Sequence, residues 1–328
     1  MKYQSYRMIF PVGIHLGNKL SDESMFTVLA DTLFSALCQE AVKSGSLDEL
    51  VSAVKDNKLL ISDAMPFIGD TYYIPKPLVK IQTESQGNSK LKKAFKKLSY
   101  IPSDKLEVYL KGQLDAEKEN EKFSNLGVST VRTSVAVSNL DKPSPYRVGV
   151  FNFNEGNGLY VIVGYEDDDT LYLVSDLLES LSFSGLGGHR SSGLGRFEYK
   201  FVKEEFIQTI LKRLNDNSKV KTSLSVALPT EEELPTVIEG SRYKMLKRSG
   251  FVASTTYIKE EDKKDNSMLY FRKNDLYVFS AGSTFTKDFS GDVYDVSNNG
   301  RHSVYRYAKP MLMGVDLWKT FWKITSLP

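Results

Sequence analysis

The chain has a single cysteine, Cys38, among 328 residues. A disulfide framework and a cysteine-ligated zinc site are both excluded. Cys38 itself lies in an apolar helical pattern, where a small buried hydrophobe is expected. Histidine is almost as scarce, with His15, His189 and His302 the whole supply. Long apolar runs are missing, so no segment reads as a membrane span. The first residues, MKYQSYRMIF, lack the apolar stretch of a signal peptide, and a cytoplasmic protein is expected. Net charge is only +2, which excludes a wholly basic nucleic-acid binder and leaves any such site to local clustering. What is present is a globular composition, 41% hydrophobic and 26% charged. That is enough for a sizeable core in one large or two medium domains.

Aromatics before Pro11 mark a strand over 3–10. Phe26, Leu29, Leu33, Ala36 and Leu37 recur at helical spacing, with Ser24 as the expected N-cap of a helix over 24–43. Ser46 and Glu49 have the spacing of a capping box for a second helix. KLLIS and TYYIP read as short strands. NSKLKKAFKKL reads as a basic amphipathic helix, with Leu91, Ala94, Phe95 and Leu98 as its apolar stripe. LDAEKENEK, 114–122, reads as a solvated charged stretch. STVRTSVAV and YRVGVFNF flank SNLDKPSP as a long hairpin, apolar on one face. GLYVIVGY is the clearest strand, followed by a helix near 174–182 that Ser175 would cap, and then by RFEYKFV. The order strand, helix, strand, strand, helix, strand is βαββαβ, the ferredoxin-like order. An insertion over about 45–157 precedes the third strand. Residues 204–328 open with the helix EEFIQTILKRL and continue with β runs. We therefore expect an α+β protein of two ferredoxin-like domains, 1–203 and 204–328, with a hairpin inserted in the first.

SFSGLGGHRSSGLGRF, 182–197, concentrates glycine beside positive charge. A Walker loop is excluded because no GK[ST] follows its glycines. A dinucleotide fingerprint is excluded because the order here is helix, loop, strand, so no helix N-terminus faces a ligand. Two readings remain, a plain surface loop or a backbone nest for phosphate, to which Arg190 and Arg196 would add charge-assisted bonds.

A glycine-rich loop between the second helix and last strand of such a unit resembles the signature of the RAMP superfamily of CRISPR proteins. PVGIHLG after the first strand, LFSALCQEA, YYIPKP, VRTSVAV before a hairpin, and KRSGFV sharpen the likeness. Together they resemble the subunit-four family that caps one end of type III-A Csm complexes. The resemblance implies a non-catalytic scaffold that grips the 5′ tag of the guide RNA (crRNA). It also implies docking to the large polymerase-like subunit and the backbone RAMP subunit, a hairpin thumb at about 128–150 that wedges into the guide, and no cofactor.

On that likeness the RNA-binding candidates are Gly185, Gly187, Gly188, His189, Arg190, Ser191, Ser192, Gly195 and Arg196 in the loop over 184–196, and His15 in GIHLG. Arg132, Thr133 and Arg147 on the hairpin join them, as do Lys247, Arg248 and Phe251, where charge and an aromatic lie side by side. Each has a plainer reading: His15 as a structural loop residue, the hairpin arginines as solvated, Lys247 and Arg248 as edge-strand protection. The lysine helix over 90–97 is either a solvated face or a contact for RNA or an acidic partner. DDD at 167–169 reads as a tight solvated turn in preference to a metal site. An enzymatic alternative has His189 as general acid or base of a metal-independent endoribonuclease that processes repeat RNA. A pure protein-interaction module is a further alternative.

Overall fold

The strand expected at GLYVIVGY, observed over Asn157–Tyr165, organises the molecule, with eight of its nine residues buried. Leu159, Val161 and Val163 point into one apolar cluster, and Tyr160 and Ile162 into another. This alternation follows from the period-2 geometry of a strand covered on both faces.

The structure, a computed structural model, describes residues 1–17, 22–81, 89–136, 144–253, 271–298 and 302–315. In chain order the elements are β1 (Lys2–Ile9), α1 (Ala30–Ser44), α2 (Leu47–Lys55), β2 (Leu59–Ile61), β3 (Met65–Ile68), β4 (Thr71–Pro75), α3 (Ser89–Lys97), β5 (Tyr100–Pro102), α4 (Leu106–Leu110), α5 (Ala116–Ser124), β6 (Gly127–Ala136), β7 (Ser144–Phe153), β8 (Asn157–Tyr165), α6 (Asp168–Ser184), β9 (Glu198–Phe201) and α7 (Glu204–Leu214). There follow β10 (Lys221–Ser223), α8 (Leu234–Val237), β11 (Met245–Arg248), β12 (Leu276–Phe279), β13 (Thr284–Phe285), β14 (Val293–Asp295), β15 (Tyr305–Tyr307) and β16 (Leu312–Gly314).

The main sheet runs β5-β4-β3-β8-β1-β9, with β2 also on β8. Its pairs are antiparallel. Its core, β9-β1-β8-β3, has the 4-1-3-2 order of a βαββαβ unit, and α1 and α6 pack together on one face. The other face is covered by α4, α7 and residues near β16: Leu106, Ile207, Ile210, Leu214, Met311 and Met313 cluster with Tyr160 and Ile162.

The second half departs from expectation. Among the described residues after α7, only Leu234–Val237 is helical, and the strands form three small sheets, β13-β10-β16, β11-β12 and β14-β15. A second ferredoxin-like domain needs two helices across one four-stranded sheet, and the helix expected to begin it, α7, covers the first sheet instead. Both apolar clusters cross residue 203: Val226, Val278, Val293 and Tyr307 join the α1–α6 cluster.

Several local expectations are corrected. α1 begins at Ala30, not Ser24, because Ser24 Oγ is engaged by the loop, accepting from Leu16 N at 3.0 Å and donating to the Ile14 carbonyl at 3.1 Å. Asp63 Oδ1 accepts the Ala30 N–H instead, at 2.7 Å. Ser46 precedes α2 but makes no side-chain cap, its hydroxyl meeting Ser44 Oγ at 2.8 Å. The DDD stretch opens α6: Asp167 is the N-cap, accepting from Thr170 N at 2.8 Å. Ser175 therefore lies mid-helix, donating to the Leu171 carbonyl at 2.8 Å. Within the 114–122 stretch Glu119 is buried, held by Lys105 at 2.6 Å.

Asp63 sits in the break between β2 and β3. Its Oδ1 also accepts the Val226 N–H at 3.1 Å, so one carboxyl ties α1 to the C-terminal half. Oδ2 is buried without a partner. Burial, with Asp31 adding, pushes its pKa up to about 7, against the two N–H donors. The folded state then holds a proton that the unfolded state releases, so stability falls as pH rises from about 4 to about 7. Urea denaturation at pH 4.5 and 7.5 should show this loss in the wild type, and Asp63→Asn should flatten it.

Candidate nucleic-acid interface

Three backbone segments interlock beside the main sheet. The loop after β1 bonds to β7 through Ile14 N–H to the Phe151 carbonyl and Phe151 N–H to the Ile14 carbonyl, each 2.9 Å. The glycine-rich loop closes on the first of these: Gly188 N–H donates to the His15 carbonyl at 2.9 Å and Gly195 N–H to the Gly13 carbonyl at 2.9 Å. Leu186 N–H donates to the Gly195 carbonyl at 2.8 Å.

The glycines are there because the backbones touch. A Cβ on Gly195, at φ 78°, would lie 1.8 Å from the Leu186 carbonyl oxygen. One on Gly187, at φ 86°, would lie 2.3 Å from the His15 carbonyl oxygen, and one on Gly188 would lie 2.7 Å from the His15 ring. Gly185, at φ 82°, packs against Leu194 and Gly195. The loop is thus a folded structure of its own, with much of its backbone already bonded. None of the bonds just given uses the N–H of His189, Arg190 or Ser191. His189, left-handed at φ 55°, leads Arg190 and Ser191 into a short 3-10 turn over Arg190–Ser192, the geometry that gathers N–H groups toward an anion.

His15 is buried, and its Nδ1 lies 2.6 Å from the Gly149 carbonyl oxygen. A carbonyl only accepts, so Nδ1 carries the proton. The ring therefore pins the hairpin to the loop from within. His189 meets it edge-on at 5.2 Å between ring centres and stacks on Tyr146 at 5.9 Å and 21°. Burial, with His15 adding, lowers the His189 pKa from its ordinary value. Ser192 Oγ donates back to the His189 carbonyl at 2.8 Å. Ser191 and Arg196 are exposed, and Arg190 is half-buried, its Nη2 donating to Gln39 Oε1 at 3.2 Å.

β6 and β7 pair over ten positions, from Gly127↔Phe153 to Ala136↔Ser144. Val148 and Val150 pack on Leu194 at the root. Further out Thr133 pairs with Arg147, both exposed, between Val131 and Val135, each more than half exposed (55% and 53%). Arg132 is exposed and donates to the Val12 carbonyl at 3.2 Å. The tip, 137–143, including most of SNLDKPSP, lies outside the described residues.

The C-terminal candidates divide. Lys247 is exposed and paired with Asp275 at 2.8 Å, which fits edge-strand protection. Arg248 is no free cation: its Nε and Nη2 donate to Asp31 at 2.8 and 3.0 Å. Phe251 is 61% exposed. The fold nonetheless brings this strand to the glycine loop. A cleft of about 290 Å³ is lined by Gly185, Gly187, Arg190, Arg248 and Phe251, among others. Sequence reasoning missed Tyr146, Gln39 and Asp31. Asp31 had a signal, an acid one residue into a helix whose neighbours Ala30, Leu33 and Phe34 are all core.

Among the described residues no group of three or more acids, histidines or cysteines is placed to hold a metal ion, and no helix is long and apolar enough to cross a membrane.

A βαββαβ sheet with a glycine-rich loop between its second helix and last strand defines a RAMP-like CRISPR subunit. The model of the CRISPR Csm4 C-terminal domain matches residues 216–315. The chain is 36% identical over 302 residues to the CRISPR system Cms protein Csm4 of Mycobacterium tuberculosis (strain H37Rv), covering 92% of this chain and 94% of that protein. It is 33% identical over 326 residues to the Streptococcus thermophilus protein of the same description, covering 97% and 100%. The chain belongs to the Csm4 family of type III-A CRISPR Csm subunits. Its fold is shared with the crystal structure of a Csm3–Csm4 subcomplex of the type III-A interference complex (TM-score 0.63, 20% identity, 94% of this chain and 98% of that one). It is shared also with a Csm1–Csm4 cassette in complex with AMPPNP (TM-score 0.59, 19% identity, 96% and 98%).

The interlock makes a sharp stability test. Gly195→Ala must displace the Leu186 backbone and should cost more than about 2 kcal/mol. Gly193→Ala, likewise at positive φ (85°) but with open space around its Cβ position, should cost only the left-handed penalty of about 1–2 kcal/mol. Chemical denaturation of both variants reads the difference.

Proposed function

We propose that the chain is a non-catalytic RNA-binding scaffold of a type III-A Csm complex. It holds the 5′ tag of crRNA, docks the large polymerase-like subunit and the backbone RAMP subunit, meets target RNA only through the assembly, and serves antiviral defence. Residues 1–203 are the ferredoxin-like RAMP unit that carries loop and thumb, and 204–328 the C-terminal unit packed beneath it. The observation that carries this reading is convergence: the glycine loop, the first helix and the KRSGF strand, distant in sequence, meet around one cationic cleft, and the hairpin root packs on the same loop through Leu194. Solved proteins of the same fold are Csm1–Csm4 and Csm3–Csm4 assemblies, which supports the two docking roles.

In this reading Arg190, Arg196, Arg132 and Arg147 supply charge to phosphates, and the N–H groups of His189, Arg190 and Ser191 with the Ser191 and Ser192 hydroxyls supply donors. His189 offers a ring for stacking. His15 and Gly185, Gly187, Gly188 and Gly195 act from behind, by holding the loop in shape. Thr133 and Phe251 offer apolar or aromatic contact, and Lys247 and Arg248 set the field of the cleft. Arg190→Ala with Arg196→Ala should weaken guide-RNA retention by about 2–5 kcal/mol, one or two charge-assisted bonds per arginine. Filter binding of the reconstituted complex across a salt series measures it, and an unchanged affinity and salt slope would refute the phosphate role.

The edge-on pair of His15 and His189 favours one competing reading, a metal-independent endoribonuclease with His189 as acid or base. It predicts cut repeat RNA and loss of the product in His189→Ala, where the scaffold leaves RNA whole.

Val131 and Val135 sit exposed on the outer hairpin, where a wedge between bases would bury them. Replacing both with serine should spare the fold and the grip on the tag. Nuclease footprints of the guide should change beside the tag, and an unaltered footprint there would rule out the wedge.

A further inference from the structure

The main sheet ends at β9, which has β1 as its one neighbour. Val202 N–H donates to the Ser5 carbonyl at 2.9 Å, and the register continues through Tyr6↔Phe201, Arg7↔Lys200 and Met8↔Tyr199. Bonded and non-bonded pairs alternate along an antiparallel ladder. Lys200 therefore turns its N–H and carbonyl toward β1, while Tyr199 and Phe201 turn theirs to the open side. Among the described residues nothing bonds those outward groups. Proteins commonly cover, bulge or charge such an edge. Here the lysine of the strand, Lys200, is drawn back to Glu198 at 3.6 Å.

Helix α6 runs along this edge. At one end the Ser182 carbonyl accepts the Phe197 N–H at 3.2 Å. At the other, Ser175 Oγ lies 2.8 Å from the hydroxyl of Tyr6, whose ring packs on Phe201 at 5.2 Å. Tyr172, Asp176, Glu179 and Phe183 follow the i, i+4, i+7, i+11 spacing of one helical face. All four are exposed, Tyr172 at 65% and Phe183 at 71%, and Phe201 on the strand matches them at 64%. Glu179 and Asp176 stand close enough to Tyr199 to add to burial in raising its pKa, so the stripe lies against the strand. The helix carries four acids and no lysine or arginine.

Charge separates the occupants such an edge can take. RNA is repelled by the carboxylate stripe. A second copy of this chain, paired edge to edge about a two-fold axis, would bring both α6 stripes to the same side and set acid against acid. An extended strand that alternates apolar residues with lysine or arginine meets open backbone groups, aromatic rings and carboxylates together, the chemistry of strand addition.

We propose that β9 is a docking edge, to which a neighbouring subunit of the complex adds an extended, basic strand. The proposal rests on the scaffold reading for the existence of that neighbour. Because β9 begins just past Arg196, the docked strand lies beside the RNA-facing loop.

The test takes the full chain and, one at a time, the backbone RAMP subunit and the large polymerase-like subunit as probes. Amide hydrogen exchange needs no substitution. The Tyr199 and Phe201 amides should exchange fast in the free chain and slowly with one of the two subunits bound. Phe201→Pro removes an outward N–H and spares the bonds to β1, whereas Phe201→Ala removes the ring alone. Affinity for that subunit should fall roughly tenfold further in the proline variant, the loss of one bonded donor. Asp176→Lys with Glu179→Lys should weaken binding at low salt and change it little at high salt. Circular dichroism checks that the variants fold. Unchanged exchange of both amides with either subunit bound would overturn the docking edge, as would equal affinities of the proline and alanine variants. Protection of the same amides by self-association of the chain would overturn it too. A wild-type chain that binds neither subunit would take the docking roles down with it. Guide-RNA retention reads the rest separately: if it still falls in Arg190→Ala with Arg196→Ala, RNA binding stands whatever becomes of the edge.

Discussion

The acceptance of the Gly188 N–H by the His15 carbonyl, with Gly187 and Gly195 pressed against neighbouring carbonyls, is the contact on which the functional face depends. It requires three backbones to approach more closely than any side chain permits, so glycine is the only residue available at the crossing points. His15 completes the joint by donating from its ring to the Gly149 carbonyl, which fixes the hairpin root in the same knot. Every candidate RNA contact on the loop or the hairpin inherits its position from this joint. A loop that looked like a free phosphate cradle is in fact a preformed surface, with the 189–192 turn and Arg196 left to face outward. That is what recognition by a rigid scaffold requires, since donors already ordered lose little entropy on binding.

The first half was legible because its signals are local. The uninterrupted apolar run at 159–163 and the helical periodicity of Leu33, Ala36 and Leu37 identify the central strand and the first helix from local pattern. What failed were signals that have a local competitor. Ser24, Ser46 and Ser175 all have the chemistry of a cap, yet each hydroxyl found a nearer partner in a loop or in its own helix. Asp167, read as a solvated turn, is the cap that forms. Capping is decided by where the chain turns, which tertiary packing sets, and serine or aspartate spacing cannot report that.

The site was legible as a list but not as an arrangement. The loop glycines, the hairpin and KRSGF were each visible, and the fold sets the loop between the other two, with the hairpin root on Leu194 and KRSGF across the cleft. Their roles changed on arrival. Arg248 reads as a surface cation in sequence, but the carboxylate that binds it lies 217 residues earlier in the chain. The local pattern around Asp31 marks an acid among core residues, but not the arginine that pairs with it. Tyr146 likewise looks like an ordinary strand aromatic until His189 stacks on it.

The two-faced burial of β8 bears on how the protein is made. When the ribosome has released β9, the α1–α6 side of the sheet is largely dressed, but Tyr160 and Ile162 on the reverse still lack Ile207, Ile210 and the Met311–Met313 segment. An aromatic-rich sheet face is then open to water until almost the whole chain has emerged, and its final strip of cover comes from the last described strand. The nascent N-terminal half is therefore a natural client for chaperones that shield apolar surface. Premature termination between α7 and about residue 311 yields a molecule that lacks the Met311–Met313 strip of that cover.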